Sequence, residues 1–389
     1  MESVYNCSGH ELKIPNIVDA QGVYLYDENG KRYMDLESGV WCTALGHKNS
    51  RINQIIRQQI DSIMHTGFCY SNEVLDEAAK SVLSISNLEG GKCVFLSSGS
   101  EAIEILRQIS KCLTGKQKTL ALHDAYLGSY SSVIDRSHGW HSFNWEDCKT
   151  CTKQDGCDAN CEALQNIPDD ISEFVFEPGS ASGYVRFPPR ALIQNIVKIV
   201  RGNNGKIIAN DLTTGIGRTG KWFGYHHFGL EPDMVAIGKG IGNGYPVSVA
   251  ALSPVIVKDL EEKSFKYSQS HQNDPLGAAI ALEVIKVIED NHLIAGAQQK
   301  GEKFISRLNA LVDNEIVLEV RGRGLMFAVD LVNEQVAEEI YDQLIDQGYI
   351  VCNRGALFRI DPPLTITEGE FGNFVDTLVA IIASKKHDS

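Results

Sequence analysis

Apolar residues recur at helical spacing over residues 50–65 and 72–86, and between residues 92 and 252 they gather into short continuous runs. The runs read KCVFLS, TLALH, EFVFEP, GKIIAN, DMVAIG and SVAAL, and helical stretches separate them. Brief apolar runs bounded by polar or glycine positions predict strands buried on both faces. Their alternation with helices predicts a mostly parallel central sheet with helices on both faces. Upstream, GVYLYDENGKRYMDL sets Asn29-Gly30 between two aromatic-rich runs, which predicts a hairpin because that pair enters the left-handed turn conformation easily. After Pro275, LGAAIALEVIKVIEDN predicts a helix leaving the sheet region, and VLEVRGRGLMFAVDL, a further helix, YIVC and FRI predict a smaller α+β unit. A lone hairpin cannot bury both faces, so the N-terminal one should pack with the C-terminal portion. The predicted organisation is an N-terminal segment 1–48, a large domain 49–280 and a small domain 281–389.

Composition narrows the partners. The chain has 389 residues, 43% hydrophobic and 22% charged, as in an ordinary globular protein, and a net charge of −14. That excess of acid repels nucleic acid and anionic membrane surfaces, so neither is expected as a partner. No apolar run approaches membrane-spanning length, and MESVYNCSGHELK lacks the basic start and apolar stretch of a secretory signal. Of the ten cysteines, Cys7, Cys42, Cys69, Cys93, Cys112 and Cys352 stand singly and are expected to be buried thiols. With no signal, this usage predicts the reducing cytoplasm. The other four crowd into CKTCTKQDGCDANC, an insert over 148–161. Cys148, Cys151, Cys157 and Cys161 have the spacing of a tetrahedral thiolate site, expected to hold one structural zinc ion, with an iron–sulfur cluster or free thiols as alternatives. The nearby His138 and His141 read as loop residues.

Three stretches carry candidate chemistry. Lys239 follows the apolar run of DMVAIG among glycines at 238, 240, 242 and 244, which let a planar ligand approach the backbone. A lysine so placed is partly desolvated, which lowers its pKa and suits Schiff-base formation. In FLSSGSEAIEILRQ, a strand gives way to a turn at Ser98, Gly99 and Ser100 and then to a helix, whose free N-terminal amides can bind a phosphate. Tyr126, in HDAYLGSY, follows another strand and could lie over a cofactor ring.

Taken in order with FEPGSASG and GRTG, these stretches resemble the class III aminotransferases, pyridoxal 5'-phosphate (PLP) enzymes of fold type I. The resemblance runs from YLYDENGKRYMDLESGVWCTALGH to RIDPPLTIT, nearly the whole chain. It implies an aminotransferase that moves an amino group between an amino acid or amine and a 2-keto acid or aldehyde. Lys239 would carry PLP as a Schiff base and shuttle the proton, and Gly99 and Ser100, beside Ser98, would hold the phosphate. Tyr126 would stack on the pyridine ring, with Glu177 also at the cofactor. Ser270, in SQSHQNDP, falls where the family reaches the phosphate of a neighbouring subunit, which implies a homodimer with shared sites. Trp41 falls at the substrate pocket and Arg359 at the substrate carboxylate, an ordinary structural ion pair being the rival reading for Arg359.

The chain departs from the family in three places. Tyr126-Leu127-Gly128 replaces the usual Tyr-His-Gly. GSASG lacks the glutamate that pairs with the carboxylate-binding arginine, so Arg359 is expected to stand free for a carboxylate. Counting back from GRTG without a gap puts Asn210, not Asp211, where the family has its pyridine-nitrogen aspartate. Asn210 is therefore expected to donate a hydrogen bond to a neutral ring nitrogen, with Asp211 turned to the opposite face by strand alternation. A bulge could instead bring Asp211 to the cofactor. The asparagine is compatible with native chemistry adapted to a neutral ring and with an introduced substitution that traps bound substrate. Such a ring leaves two rivals to transamination: a racemase, epimerase or aminomutase on the same scaffold, and a PLP-binding protein with little turnover.

Overall fold

In the computed structural model, which describes residues 3–7, 12–67, 69–151, 156–158, 160–179, 181–313 and 315–387, the hairpin turns at Gly30 with φ +79°. Strands β1 (Ile17–Gln21), β2 (Tyr24–Asp27) and β3 (Arg32–Asp35) form an antiparallel meander. The large sheet follows with β4 (Lys92–Leu96), β5 (Lys118–Leu122), β6 (Trp140–Phe143), β7 (Ile171–Phe176), β8 (Lys206–Asn210), β9 (Met234–Ile237) and β10 (Ser248–Leu252). Its spatial order is β4-β10-β9-β8-β7-β5-β6, with β10 antiparallel to both neighbours and every other pairing parallel. All six apolar runs are strands. The sequence reading missed β1 and β6, whose IVDAQ and WHSF are too mixed to stand out.

The C-terminal portion contributes β11 (Val317–Arg323), β12 (Met326–Leu331), β13 (Tyr349–Ile350), β14 (Cys352–Asn353) and β15 (Leu357–Ile360). β11, β12, β15 and β14 make a separate sheet, while β13 lies parallel to β3. The N-terminal hairpin therefore does find its partner at the other end of the chain.

Packing explains why these runs stay strands. Every residue of β7, β9 and β10 is buried, so side chains from both faces enter the core. Phe174 and Phe176 are inaccessible, and Phe228 meets Phe176 edge-on with centroids 4.8 Å apart. Truncating one such ring to alanine costs about 3–5 kcal/mol. The helix Gly99–Thr114 starts at Ser98, whose hydroxyl accepts from the Glu101 amide while Glu101 returns a bond to the Ser98 amide. It ends at Gly115 with φ +70°. Its buried stripe of Ala102, Ile103, Ile105, Leu106 and Ile109 seals one side of the sheet. The helix Pro275–Asp290 is buried on nearly all sides and packs against the helices Ser50–Ser62 and Glu73–Ile85. It is thus an interior element beside the large sheet, where the sequence suggested an exit from it.

One residue ties the loop after β8 to the C-terminal portion. Arg218, in GRTG, is buried and donates to the carbonyls of Leu325 and Pro362, while the Leu325 amide donates back to the Arg218 carbonyl. Burial pulls its pKa down to about 10. The single cysteines depart from expectation. Cys7 and Cys69 are exposed, and Cys42, Cys93, Cys112 and Cys352 are half-buried. Adjacent apolar residues do not by themselves put a thiol in the core. Among the described residues, no helix is long and apolar enough to cross a membrane.

Candidate active site

Because β10 runs against both β4 and β9, strands β4, β5, β7, β8 and β9 all point the same way. Ser98, Tyr126, Glu177, Asn210 and Lys239 each follow or close one of these strands, so all five gather at the carboxyl edge of the sheet. That edge is where open α/β sheets bind ligands.

Alternation at the end of β8 sorts the adjacent pair as expected. Asp211 is fully buried and turned away: its carboxylate accepts from Thr214 Oγ1 at 2.5 Å and from the amides of Gly224 and Tyr225 at 2.8 and 3.1 Å. Burial raises its pKa to about 6 against the pull of those donors. Asp211 therefore braces the 224–225 turn and does not face the site, which removes it from the cofactor-binding set. Asn210 lies on the site's side with Leu212, whose methyl carbons would crowd a Cβ placed on Gly99 or Gly238. Its amide nitrogen donates to the Tyr126 carbonyl at 2.9 Å, and its Oδ1 is buried without a partner among the described residues. The geometry reverses the expected polarity: the atom Asn210 leaves unsatisfied is an acceptor.

Tyr126 is held by its backbone. Its amide donates to Glu177 at 2.9 Å, its carbonyl takes the Asn210 amide, its hydroxyl bonds with Ser129 Oγ at 2.8 Å, and the residue stays 45% exposed. Leu127 is buried in the core. Gly128, at φ +120°, passes so close to Ser100 that a Cβ there would lie 2.9 Å from Ser100 Oγ. Only glycine fits. That approach lets Ser100 Oγ accept from the Ser129 amide at 3.0 Å, which joins the helix start to the tyrosine loop.

Lys239 takes φ +48°, a left-handed conformation that costs a non-glycine residue free energy and is found where structure overrules local preference. Burial lowers its pKa, while Cys42 and Glu177 pull the other way. Its ammonium lies 5.6 Å from the centroid of Trp41, and the Arg359 guanidinium lies 3.6 Å from the same centroid. Trp41 thus presents its ring to both the lysine and the arginine. The loop that presents it runs left-handed through Ser38, Gly39, Val40 and Trp41, at φ of 49°, 53°, 60° and 66°. Asp35 anchors the loop by accepting from the Glu37 and Gly39 amides, each at 3.0 Å.

Arg359 is not free. Its Nε donates to Asp361 at 2.6 Å and its Nη2 to Glu37 at 3.0 Å. Asp361 is fully buried, and the Glu37 side chain is 23% exposed. Two carboxylates therefore already occupy the guanidinium, so the ion-pair reading describes it as it stands. Glu37 and Cys42 are neighbours the sequence reading missed. Glu37 sits beside Asp35 in the quoted LGH segment, but nothing local signals a partner at the far end of the chain.

Two predicted sites lie outside this edge. Ser270 is exposed, just before the helix Pro275–Asp290. The insert cysteines Cys148 and Cys157 are half-buried against the core, while Cys151 and Cys161 are exposed. Burial, then Cys157, Cys161 and Cys151, push the Cys148 thiol up to about 11. Among the described residues, two groups of three metal-ligating atoms lie within 4.8 Å of one another: His65, His271 and Asp274, and His123, Asp124 and Glu146. Neither contains a cysteine.

The family model of class-III aminotransferases matches residues 5–382. The acetylornithine aminotransferase of Archaeoglobus fulgidus is 27% identical over 361 residues, covering 92% of this chain and 93% of its own. A Bacillus anthracis aminotransferase superposes with a TM-score of 0.90 at 21% identity, covering 98% of this chain and 96% of its own. A taurine:2-oxoglutarate aminotransferase from Bifidobacterium kashiwanohense, solved with PLP and glutamate, gives 0.89 at 22% identity, covering 98% and 95%. With a family match over nearly its whole length and a desolvated lysine at the carboxyl edge of its sheet, the chain belongs to the class-III aminotransferases and is a PLP-dependent enzyme of amino-group transfer.

Proposed function

We propose that Lys239, Asn210, Tyr126, Glu177 and the turn Ser98, Gly99 and Ser100 hold PLP, and that Arg359 receives a substrate carboxylate over Trp41. The observation that carries this reading is the left-handed, desolvated Lys239 at the same sheet edge as a buried polar atom without a partner among the described residues, Asn210 Oδ1. The residues present fit the group: Asn210 Oδ1 is a buried polar atom without a partner among the described residues, and Gly99 and Gly238 lie so close to Leu212 that a Cβ at either would come within 2.6 Å of its methyl carbons. When bound, PLP supplies an aldehyde that condenses with amines and a ring that draws electrons from the amine-bearing carbon.

The rest is the work of the chain. Lowering the Lys239 pKa enlarges the share of neutral amine near pH 7, which can attack a carbonyl and take a proton from the carbon beside it. Glu101 occupies the amides of Ser97 and Ser98, and Ser98 Oγ takes that of Glu101. The amides of Gly99 and Ser100, between them at the helix start, then serve the phosphate. Glu177 fixes the Tyr126 backbone so that the exposed ring can cover the cofactor. At Arg359, an incoming carboxylate competes with Glu37, which reaches solvent, and leaves Asp361 in place.

An amino donor and a 2-keto acid acceptor are the expected substrates, and a screen of donors against pyruvate and 2-oxoglutarate tests this. Turnover without a keto acid, with deuterium entering the α-carbon, would instead mark a racemase. We also propose a homodimer, supported by the exposure of Ser270 and the family's use of that position; sedimentation of the PLP-loaded protein tests it. The four insert thiols are proposed to close on one zinc ion per chain, supported by their spacing within residues 148–161. Elemental analysis of protein purified without added metal tests that, and four readily alkylated thiols on a metal-free, active enzyme would sink it.

A further inference from the structure

Asn210 closes β8, with its side chain on the face of the strand that Leu212 shares and Asp211 does not. The orientation of its amide is fixed by chemistry. The group 2.9 Å away is the Tyr126 carbonyl, which can only accept, so the atom facing it must be nitrogen. That places Oδ1 on the remaining side, 2% exposed as a residue and without a partner among the described residues. A buried carbonyl oxygen in this state calls for a donor. Glu177, the nearest acid of the adjoining strand end, is directed at the Tyr126 amide and offers no hydrogen in its ionised form. The phosphate and ionised phenolic oxygen of PLP are acceptors, and the one N–H its ring can present is that of a protonated pyridine nitrogen.

We propose that Asn210 Oδ1 accepts a hydrogen bond from the protonated ring nitrogen of PLP, so that an uncharged side chain holds this enzyme's cofactor in its electron-withdrawing form. The inference rests on the proposed seating of PLP against β8. No proton is taken from the protein: the ring nitrogen acquires its proton from water and keeps it while Oδ1 is satisfied. A neutral acceptor holds that proton less firmly than a carboxylate does, so the nitrogen should lose it within an accessible alkaline range. Glu177, Lys239, Arg136, Asp124, Cys42 and Arg359 are the other charged or titratable groups within electrostatic reach of this space, and all are present in every variant below.

The test is nitrogen NMR of the protein loaded with PLP labelled at the ring nitrogen, with visible absorbance and borohydride trapping on Lys239 run on the same sample. The expected result is a pyridinium signal at pH 7 that moves to the pyridine position as pH rises. In Asn210→Leu, similar in size but without an acceptor, the signal should already be that of pyridine at pH 7. Asn210→Asp should hold the pyridinium signal across the range, and serves if the leucine variant misfolds. A pyridine signal in the unaltered protein with PLP trapped on Lys239 overturns this inference alone, since the amide would then be donating its second hydrogen. PLP trapped elsewhere, or not at all, overturns the seating as well.

Discussion

The floor of the site and its wall are built on opposite electrostatic plans. The floor, at the carboxyl edge of the large sheet, leaves groups waiting: Asn210 Oδ1 lacks a donor among the described residues, and Lys239 is held in a poor setting for its charge. The wall, from the N-terminal loop and β15, is neutralised internally, with Arg359 shared between Asp361 and Glu37 over the face of Trp41. Unsatisfied buried groups suit a ligand that stays, because each is a cost only that ligand removes. A prepaired arginine suits ligands that come and go, because the pair reforms when they leave.

Lys239→Ala should break the floor. Transamination should fall by about 10²–10⁴-fold, the range general acid–base catalysis supplies, and borohydride should no longer fix PLP to the protein. The wall should respond less and more selectively. Arg359→Lys, which loses the planar fork, should lower kcat/KM for carboxylate substrates by about 10–100-fold, as expected for a charge-assisted pair worth about 1.5–3 kcal/mol. Glu37→Gln should shift the same parameter upward by a few-fold, because the substrate then displaces a neutral group. Equal effects of Glu37→Gln and Asp361→Asn on KM, measured by steady-state kinetics, would erase the distinction between a movable and a fixed partner.

Acid should find the floor's backing before the wall. Burial pushes His226 and His227 down to about 4, and His226 packs edge-on against Phe223 and Tyr225 in the turn that Asp211 braces. Their folded pKa lies below the unfolded value, so the unfolded chain binds more protons between about pH 4 and 6.5, and stability is lost as pH falls through that window. Asp211, raised to about 6, acts in the opposite sense between 3.8 and 6. Two imidazoles against one carboxyl leave a net loss, so Tm should drop by several degrees from pH 7 to 5, and His226→Asn with His227→Asn should flatten that slope. The smallest effect belongs to the wall's loop. Val40 is 49% exposed at φ +60°, and Val40→Gly should change stability by less than about 1 kcal/mol in denaturant melts, with KM unchanged.

Much of the floor was legible because its signals are local. Apolar runs end at polar residues, and period-two alternation sent Asn210 and Asp211 to opposite faces. Which atom of Asn210 stays free was not legible, since it depends on a carbonyl 84 positions earlier, on the loop after β5. The wall was harder still. Glu37 meets Arg359 across 322 positions, and no spacing rule links a loop before the first helix to a strand near the end of the chain. Trp41 was placed by resemblance, while the left-handed turn that presents it has no sequence signature beyond Gly39. The thiol of Cys69 shows the converse error, where aromatic neighbours suggested burial that the tertiary structure does not provide.

Arg218 carries a consequence for the order in which the molecule is made. Its carbonyl partners lie 107 and 144 residues downstream, so during synthesis the guanidinium must wait until nearly the whole chain has emerged. Contacts of such long range close late and at high entropic cost, and until they do a permanently charged group sits in what will become a dry interior. The large sheet can therefore collapse early with its lysine edge still open, and completion of the site is tied to arrival of the last strands. A chain cut short before Pro362 would keep every residue of the floor yet leave this arginine without one of its carbonyl partners, making it a target for cellular quality control despite an intact Lys239.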